Sequence, residues 1–178
     1  KAISNRVTDI FVEVMRTVLQ FPRVKATWGS DDMGHRNGTL ISPNDTREFI
    51  LTGHRKLAAM SHKTGRPYLL HSCGNLHAIM DDLIEDVRID GKHSFEDTIE
   101  SVIDLKDTYG QRIALLGGID VHFLCHADEQ SIRMRVRKTL DRCMVGGGYC
   151  LGTGNSVANY IPLDNYLVML DEGRRWRP

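Results

Sequence analysis

Apolar positions along the chain switch repeatedly between a helical and an extended period, and the switching predicts the architecture. From Ser4 or Asn5 to Gln20, Val7, Ile10, Phe11, Val14, Val18 and Leu19 recur at helical spacing. Phe21-Pro22 ends that helix. Val24 to Trp28 then predicts a strand, which delivers the glycine-flanked acidic loop Gly29-Ser30-Asp31-Asp32-Met33-Gly34. Ser42-Pro43-Asn44-Asp45 supplies a cap residue, a proline suited to the first helical position and an acid, so a helix is predicted from there to about Thr64. Gly65 and Pro67 stop it. The short apolar run Pro67-Tyr68-Leu69-Leu70 predicts a buried strand leading into His71-Ser72-Cys73-Gly74-Asn75. Helical spacing resumes from Leu76 to Asp86, a weaker strand covers Val87 to Lys92, and Ile99, Val102, Ile103 and Lys106 continue as a helix up to Tyr109.

The run Arg112-Ile113-Ala114-Leu115-Leu116 predicts a strand buried on both faces, as in parallel sheets, and it ends in Gly117-Gly118-Ile119-Asp120. A basic amphipathic helix follows from Asp128 or Ser131 to Met144. Gly146-Gly147-Gly148 turns the chain into the strand Tyr149-Cys150-Leu151, and a last helix runs from near Pro162 to about Arg175. Five strands, each followed by a helix, require an α/β fold with a parallel sheet and right-handed crossovers. The sheet is either doubly wound or part of a barrel, because five βα units cannot close an eight-stranded barrel of about 250 residues.

Charge changes the picture chiefly by exclusion. The 23 basic and 23 acidic side chains cancel, which argues against a general nucleic-acid or anionic-membrane binder. The patch Arg133, Arg135, Arg137 and Lys138 reads as the solvated face of a helix. No apolar run approaches the roughly 20 residues of a membrane span, and Lys1 onward has no signal-peptide pattern, so a cytoplasmic location is expected. Cys73, Cys125, Cys143 and Cys150 lack framework spacing, which predicts reduced thiols. A start at Lys1 instead of Met suggests a fragment.

Candidate chemistry gathers at strand ends. His71 and Cys73 are two residues apart, so on a strand they share a face, at the edge where α/β proteins keep their reactive groups. They form half of a metal site or a satisfied polar pair. Asp31 and Asp32 read as an acidic site or as a turn with a cap carboxylate. His93 and Asp120 occupy other strand ends, where each could instead cap the next helix. Gly147, Gly148, Gly152 and Gly154 flank a strand without completing a dinucleotide fingerprint. His35, His54, His62, His77, His122 and His126 have no partner that the sequence names.

Leu40-Ile41-Ser42-Pro43, His71-Ser72-Cys73-Gly74-Asn75, Gly117-Gly118-Ile119-Asp120, Gly147-Gly148-Tyr149 and Pro162-Leu163-Asp164-Asn165 together resemble the C-terminal part of the uroporphyrinogen decarboxylase superfamily. That superfamily holds the decarboxylase and cobalamin-dependent methyltransferases. Its fold is a (β/α)8 barrel, so the resemblance implies that residues 1–178 are about the last five βα units of a TIM barrel whose N-terminal part is absent. Such a piece is expected to associate with the missing half or to form a homo-oligomer.

The resemblance also implies a zinc site. The methyltransferases hold zinc with a His-x-Cys pair, matched by His71 and Cys73, and with a distant cysteine whose place here is taken by Asn155. Cys150 lies five residues earlier, and the decarboxylase branch has a histidine where Asn155 stands. The third ligand therefore stays open among Asp31, Asp32, His93, Asp120 and a residue outside the chain. The implied activity is that of an enzyme, a corrinoid-dependent methyltransferase moving a methyl group to or from a small-molecule substrate, with the corrinoid as co-substrate and a corrinoid protein as partner. Asp32, Asp120 and Asn155 are its expected catalytic and pocket-lining residues. Two alternatives remain: a cofactor-free uroporphyrinogen decarboxylase, against which a carboxylate at Asp32 facing a polyanionic substrate weighs, and a non-catalytic barrel fragment that needs a partner.

Overall fold

A computed structural model describes residues 1–178 and confirms the α/β class. Its principal strands follow chain order, β1 (Thr27–Ser30), β4 (Tyr68–His71), β5 (Gly91–His93), β6 (Ala114–Leu116) and β7 (Tyr149–Cys150), in a five-stranded sheet. β1 runs parallel to β4, and β6 parallel to β7. The chain divides into two compact units, residues 1–92 and 93–178.

In the first unit, α1 (Ala2–Val18) lies against α3 (Thr52–Lys63) through Thr8, whose hydroxyl sits 2.7 Å from where Gly53 lacks a Cβ. The predicted apolar face of α1 is real but uncovered. Ile3, Val7, Ile10, Phe11 and Val14 are all exposed, and Thr8 is the helix's buried residue. Between β1 and β4 stand a two-stranded hairpin, β2 (Gly34–His35) with β3 (Gly38–Thr39), and α2 (Pro43–Thr46), capped by Ser42, whose hydroxyl accepts the Asp45 N–H. The long predicted helix is continuous but contains one wide π-helical turn, Arg47–Leu51, between α2 and α3. The predicted helix after Asn75 is realised as a 3₁₀ turn at His77–Ile79 and a π-helical stretch at Asp82–Val87. Leu51, Ala58, Tyr68, Leu70, Ile79, Met80 and Leu83 form the core here. Burying each large side chain contributes about 1.5–3 kcal/mol.

The second unit places α4 (Val102–Tyr109), α5 (Val121–His126), α6 (Glu129–Cys143) and α7 (Leu163–Arg175) around β6 and β7. Its core is Leu115, Ile119, Leu124, Ile132, Val136 and Met169. The basic patch on α6 is solvated in part, as predicted: Arg137 and Lys138 are exposed, whereas Arg133 and Arg135 are partly covered. Arg133 reaches Asp171 and Glu172 on α7, Arg137 also holds Glu172, and Arg135 pairs with Asp97 while lying 4.7 Å over the Phe123 ring. Glu172 itself is buried, and a buried carboxylate requires such partners. All four cysteines are free thiols, as predicted. No helix is long and apolar enough to cross a membrane.

Candidate metal centre

Register explains how the first unit gathers its reactive groups. Trp28 stands opposite Leu69 and Ser30 opposite His71, so residues 28, 30 and 32 share the face of residues 69, 71 and 73. The other parity points the opposite way: Thr27 bonds Ser61 on α3, and Tyr68, Leu70 and Ser72 are buried. β4 ends at His71, and Cys73 lies beyond it in the loop. The extended path nevertheless continues, and Cys73 Sγ comes to 3.4 Å from His71 Nε2.

Asp32 joins them. Its Oδ1 accepts the Cys73 backbone N–H at 3.0 Å and lies 3.5 Å from His71 Nε2. That backbone N–H holds the Asp32 carboxyl below the usual carboxylate range, with smaller help from the Cys73 side chain and His71 and against some desolvation. One nitrogen, one sulfur and one oxygen donor thus lie within 4.8 Å of one another. Donors bound at 2.0–2.3 Å around a tetrahedral zinc sit about 3.3–3.8 Å apart, so the 3.4 and 3.5 Å separations suit that ion. A carboxylate, an imidazole and a thiolate are all ordinary zinc ligands, and three protein donors leave one position for a substrate.

Glycines let the two loops that carry these donors meet backbone to backbone. Gly34 N–H donates to Cys73 O, Asn75 N–H to His35 O, and Met33 N–H to the buried Ser72 hydroxyl. Gly74 has φ +84°, and a Cβ on it would lie 2.2 Å from the Gly34 carbonyl carbon. Gly74→Ala is therefore expected to cost about 1–3 kcal/mol, from the left-handed backbone and from separation of the loops. Urea unfolding at constant m measures it, and an unchanged midpoint would show that the loops have room.

The remaining candidates are placed otherwise. Asp31 turns to the opposite side of its strand from Asp32, where its Oδ2 lies 3.4 Å from His54 Nε2. In the second unit, Asp120 caps α5: one oxygen accepts the Phe123 N–H and the other the Asp97 N–H. His93 Nε2 bonds the Thr153 carbonyl at 3.1 Å. Asn155 accepts the Ser156 N–H through Oδ1 and the Thr153 hydroxyl through its carbonyl. The sequence reading missed the Tyr68–His54 pair, 2.8 Å apart and buried, because nothing local links residues 14 apart on a helix and a strand. It also missed the β2–β3 hairpin, whose loop is Arg36-Asn37.

A methylated-thiol–coenzyme M methyltransferase of Methanosarcina mazei is 25% identical over 153 residues, covering 83% of this chain and 39% of that protein. A methylcobamide:CoM methyltransferase of Methanosarcina barkeri is 28% identical over 132 residues, covering 74% of this chain and 36% of that protein. A solved methyltransferase from Methanosarcina mazei superposes with TM-score 0.67 at 23% identity, over 86% of this chain and 42% of that one, a likeness of fold. The chain thus spans less than half the length of the relatives it matches. The uroporphyrinogen decarboxylase (URO-D) family pattern matches residues 2–176, nearly end to end, and the chain belongs to that family.

Proposed function

We propose that this chain carries the zinc site of a methyltransferase that moves a methyl group between a corrinoid and a small thiol. The observation that carries the reading is the Asp32–His71–Cys73 donor set, in which Asp32 takes the part that Asn155 cannot play. The methyltransferase names of both sequence relatives support it. A zinc ion there would supply Lewis-acid chemistry, lowering the pKa of a coordinated thiol so that the thiolate is the species present near neutral pH.

The chain's own residues do the rest by placement. His71 offers Nε2 and Cys73 its sulfur from a loop fixed by Gly34 and Gly74, while the Cys73 N–H keeps Asp32 ionised and aimed at the pair. Asp32 is half-exposed, so the open side of the site faces outward, where a substrate thiol can enter. A methylated corrinoid, as donor substrate, would supply the methyl carbon to the thiolate sulfur and keep the electron pair of its broken bond.

The test is demethylation of methylcobalamin by coenzyme M, with zinc supplied. Spectral conversion to cob(I)alamin that stops in Cys73→Ser is expected. Zinc-independent production of coproporphyrinogen from uroporphyrinogen would overturn the reading in favour of decarboxylation.

The uncovered face of α1 suggests how the site's surroundings are completed. Five large apolar side chains in a row are unusual on a stable solitary surface, and the relatives are more than twice as long as their matched portions. In our proposal, preceding βα units or a second copy cover that face. Sedimentation of residues 1–178 is expected to show self-association, reduced by Ile10→Lys; a monodisperse monomer with one sharp melting transition would contradict this.

A further inference from the structure

A buried polar pair of the first unit lies near the proposed metal centre without belonging to it. Tyr68 and His54 are both buried, and the Tyr68 hydroxyl is 2.8 Å from His54 Nδ1. His54 Nε2 in turn lies 3.4 Å from Asp31 Oδ2, on a side chain that is 47% exposed. Gly29 makes room for this arrangement, since a Cβ there would sit 2.1 Å from the Tyr68 hydroxyl and 3.5 Å from His54 Nδ1. Three positions are thus committed to a polar chain in a place where apolar packing would cost less.

The polarity of that chain runs in one direction. A carboxylate only accepts, so a neutral His54 with its N–H turned toward Asp31 would leave Nδ1 to accept from the Tyr68 hydroxyl. Burial, and secondarily the charge of Asp31, raises the pKa of Tyr68 well above that of a free phenol, so the donor keeps its proton.

Asp31 precedes the proposed ligand Asp32, and neighbours on an extended segment face opposite sides. Asp31 also donates its backbone N–H to the His71 carbonyl at 3.1 Å. Holding the Asp31 side chain toward α3 therefore sets the direction in which Asp32 leaves the backbone. We infer that Tyr68, His54 and Asp31 are positioning residues that preorganise Asp32 against His71 and Cys73. This inference rests on the metal-site reading and extends it to a second layer reaching into the core.

Cobalt(II) titration of the full chain tests it, because the thiolate-to-cobalt absorption and the d–d bands report both affinity and geometry. Tyr68→Phe, His54→Phe and Asp31→Asn are each expected to weaken cobalt binding roughly 10–100-fold, the usual effect of removing a second-layer partner, and to change the d–d envelope. The effects of Tyr68→Phe and His54→Phe should largely vanish in an Asp31→Asn background, as coupled residues require and independent structural damage does not. Where a buried change prevents folding, Asp31→Asn, at a half-exposed side chain, gives the same reading alone. Wild-type binding that Cys73→Ser abolishes, while Asp31→Asn leaves affinity and spectrum unchanged, would overturn the positioning chain and spare the metal site. Failure of the wild type to bind cobalt would overturn both.

Discussion

Cys73→Ser is expected to leave the metal-free protein folded and to weaken zinc binding by more than the roughly 10–100-fold that loss of a second-layer partner costs. Cys73 lies past the end of β4 in a half-buried loop, and serine is close in size, so the metal-free melting temperature should move by about 2 °C or less. The ion, by contrast, would lose its one sulfur donor among Asp32, His71 and Cys73. Competition with a chromophoric chelator measures the affinity, and calorimetry of the stripped protein gives the melting temperature. Binding should also weaken as pH falls, because protons compete with the metal for imidazole and thiolate. Asp32 is not what sets that limit: hydrogen bonding from Cys73 N–H lowers its pKa, so its carboxylate persists to lower pH than usual. Unchanged zinc affinity in Cys73→Ser would remove the sulfur from the site.

The second large effect is on stability and lies in the other unit. Glu172 on α7 is 2% exposed and is held by Arg133 and Arg137 of α6, the latter at very short range. Glu172→Ala would leave two guanidiniums of α6, one helical turn apart, with their shared acceptor on α7 gone. Breaking a buried pair costs about 3–5 kcal/mol. Here Arg133 keeps Asp171 and Glu129, and Arg137 is more than half exposed to water, so about 2–3 kcal/mol is expected, or roughly 4–10 °C in melting temperature. The pH dependence has a definite sign. The Arg137 hydrogen bond first, then Arg133, lowers the folded-state pKa of Glu172. Its contribution is therefore fully present above the unfolded value of about 4.3 and lost as pH falls through the lower folded value. Glu172→Ala should remove that part of the acid sensitivity, and equal losses of stability at pH 7 and pH 3 would contradict the assignment.

Glu172 also shows what pattern alone conveys. The helical period located α6 and α7 to within a few residues, but which arginines of α6 face a carboxylate depends on the crossing of two helices 35 to 39 residues apart, and no local signal reports that. The strand at 24–28 was placed about two residues early because Gly29 reads as a loop residue. In the structure the strand passes through Gly29, whose missing side chain leaves space for Tyr68. α5 escaped notice because six residues carry too little periodicity, although Asp120 was singled out as a possible cap and is one.

The site was legible in part for a simple reason. His71 and Cys73 are two residues apart, and the period of an extended chain brings such residues together without help from the rest of the fold. Asp32 entered as one of several third ligands; choosing among them required the Ser30–His71 register, a long-range pairing that the residue types do not encode. The apolar stripe of α1 was visible in the sequence, whereas its lack of a covering partner emerges only in three dimensions.

X-ray absorption at the zinc edge, on protein purified without chelator, tests the central claim most directly. The account predicts about one zinc per chain with one sulfur scatterer near 2.3 Å and nitrogen or oxygen near 2.0–2.1 Å, the sulfur shell disappearing in Cys73→Ser. Zinc-free protein that cannot be loaded, or a first shell without sulfur, would contradict it.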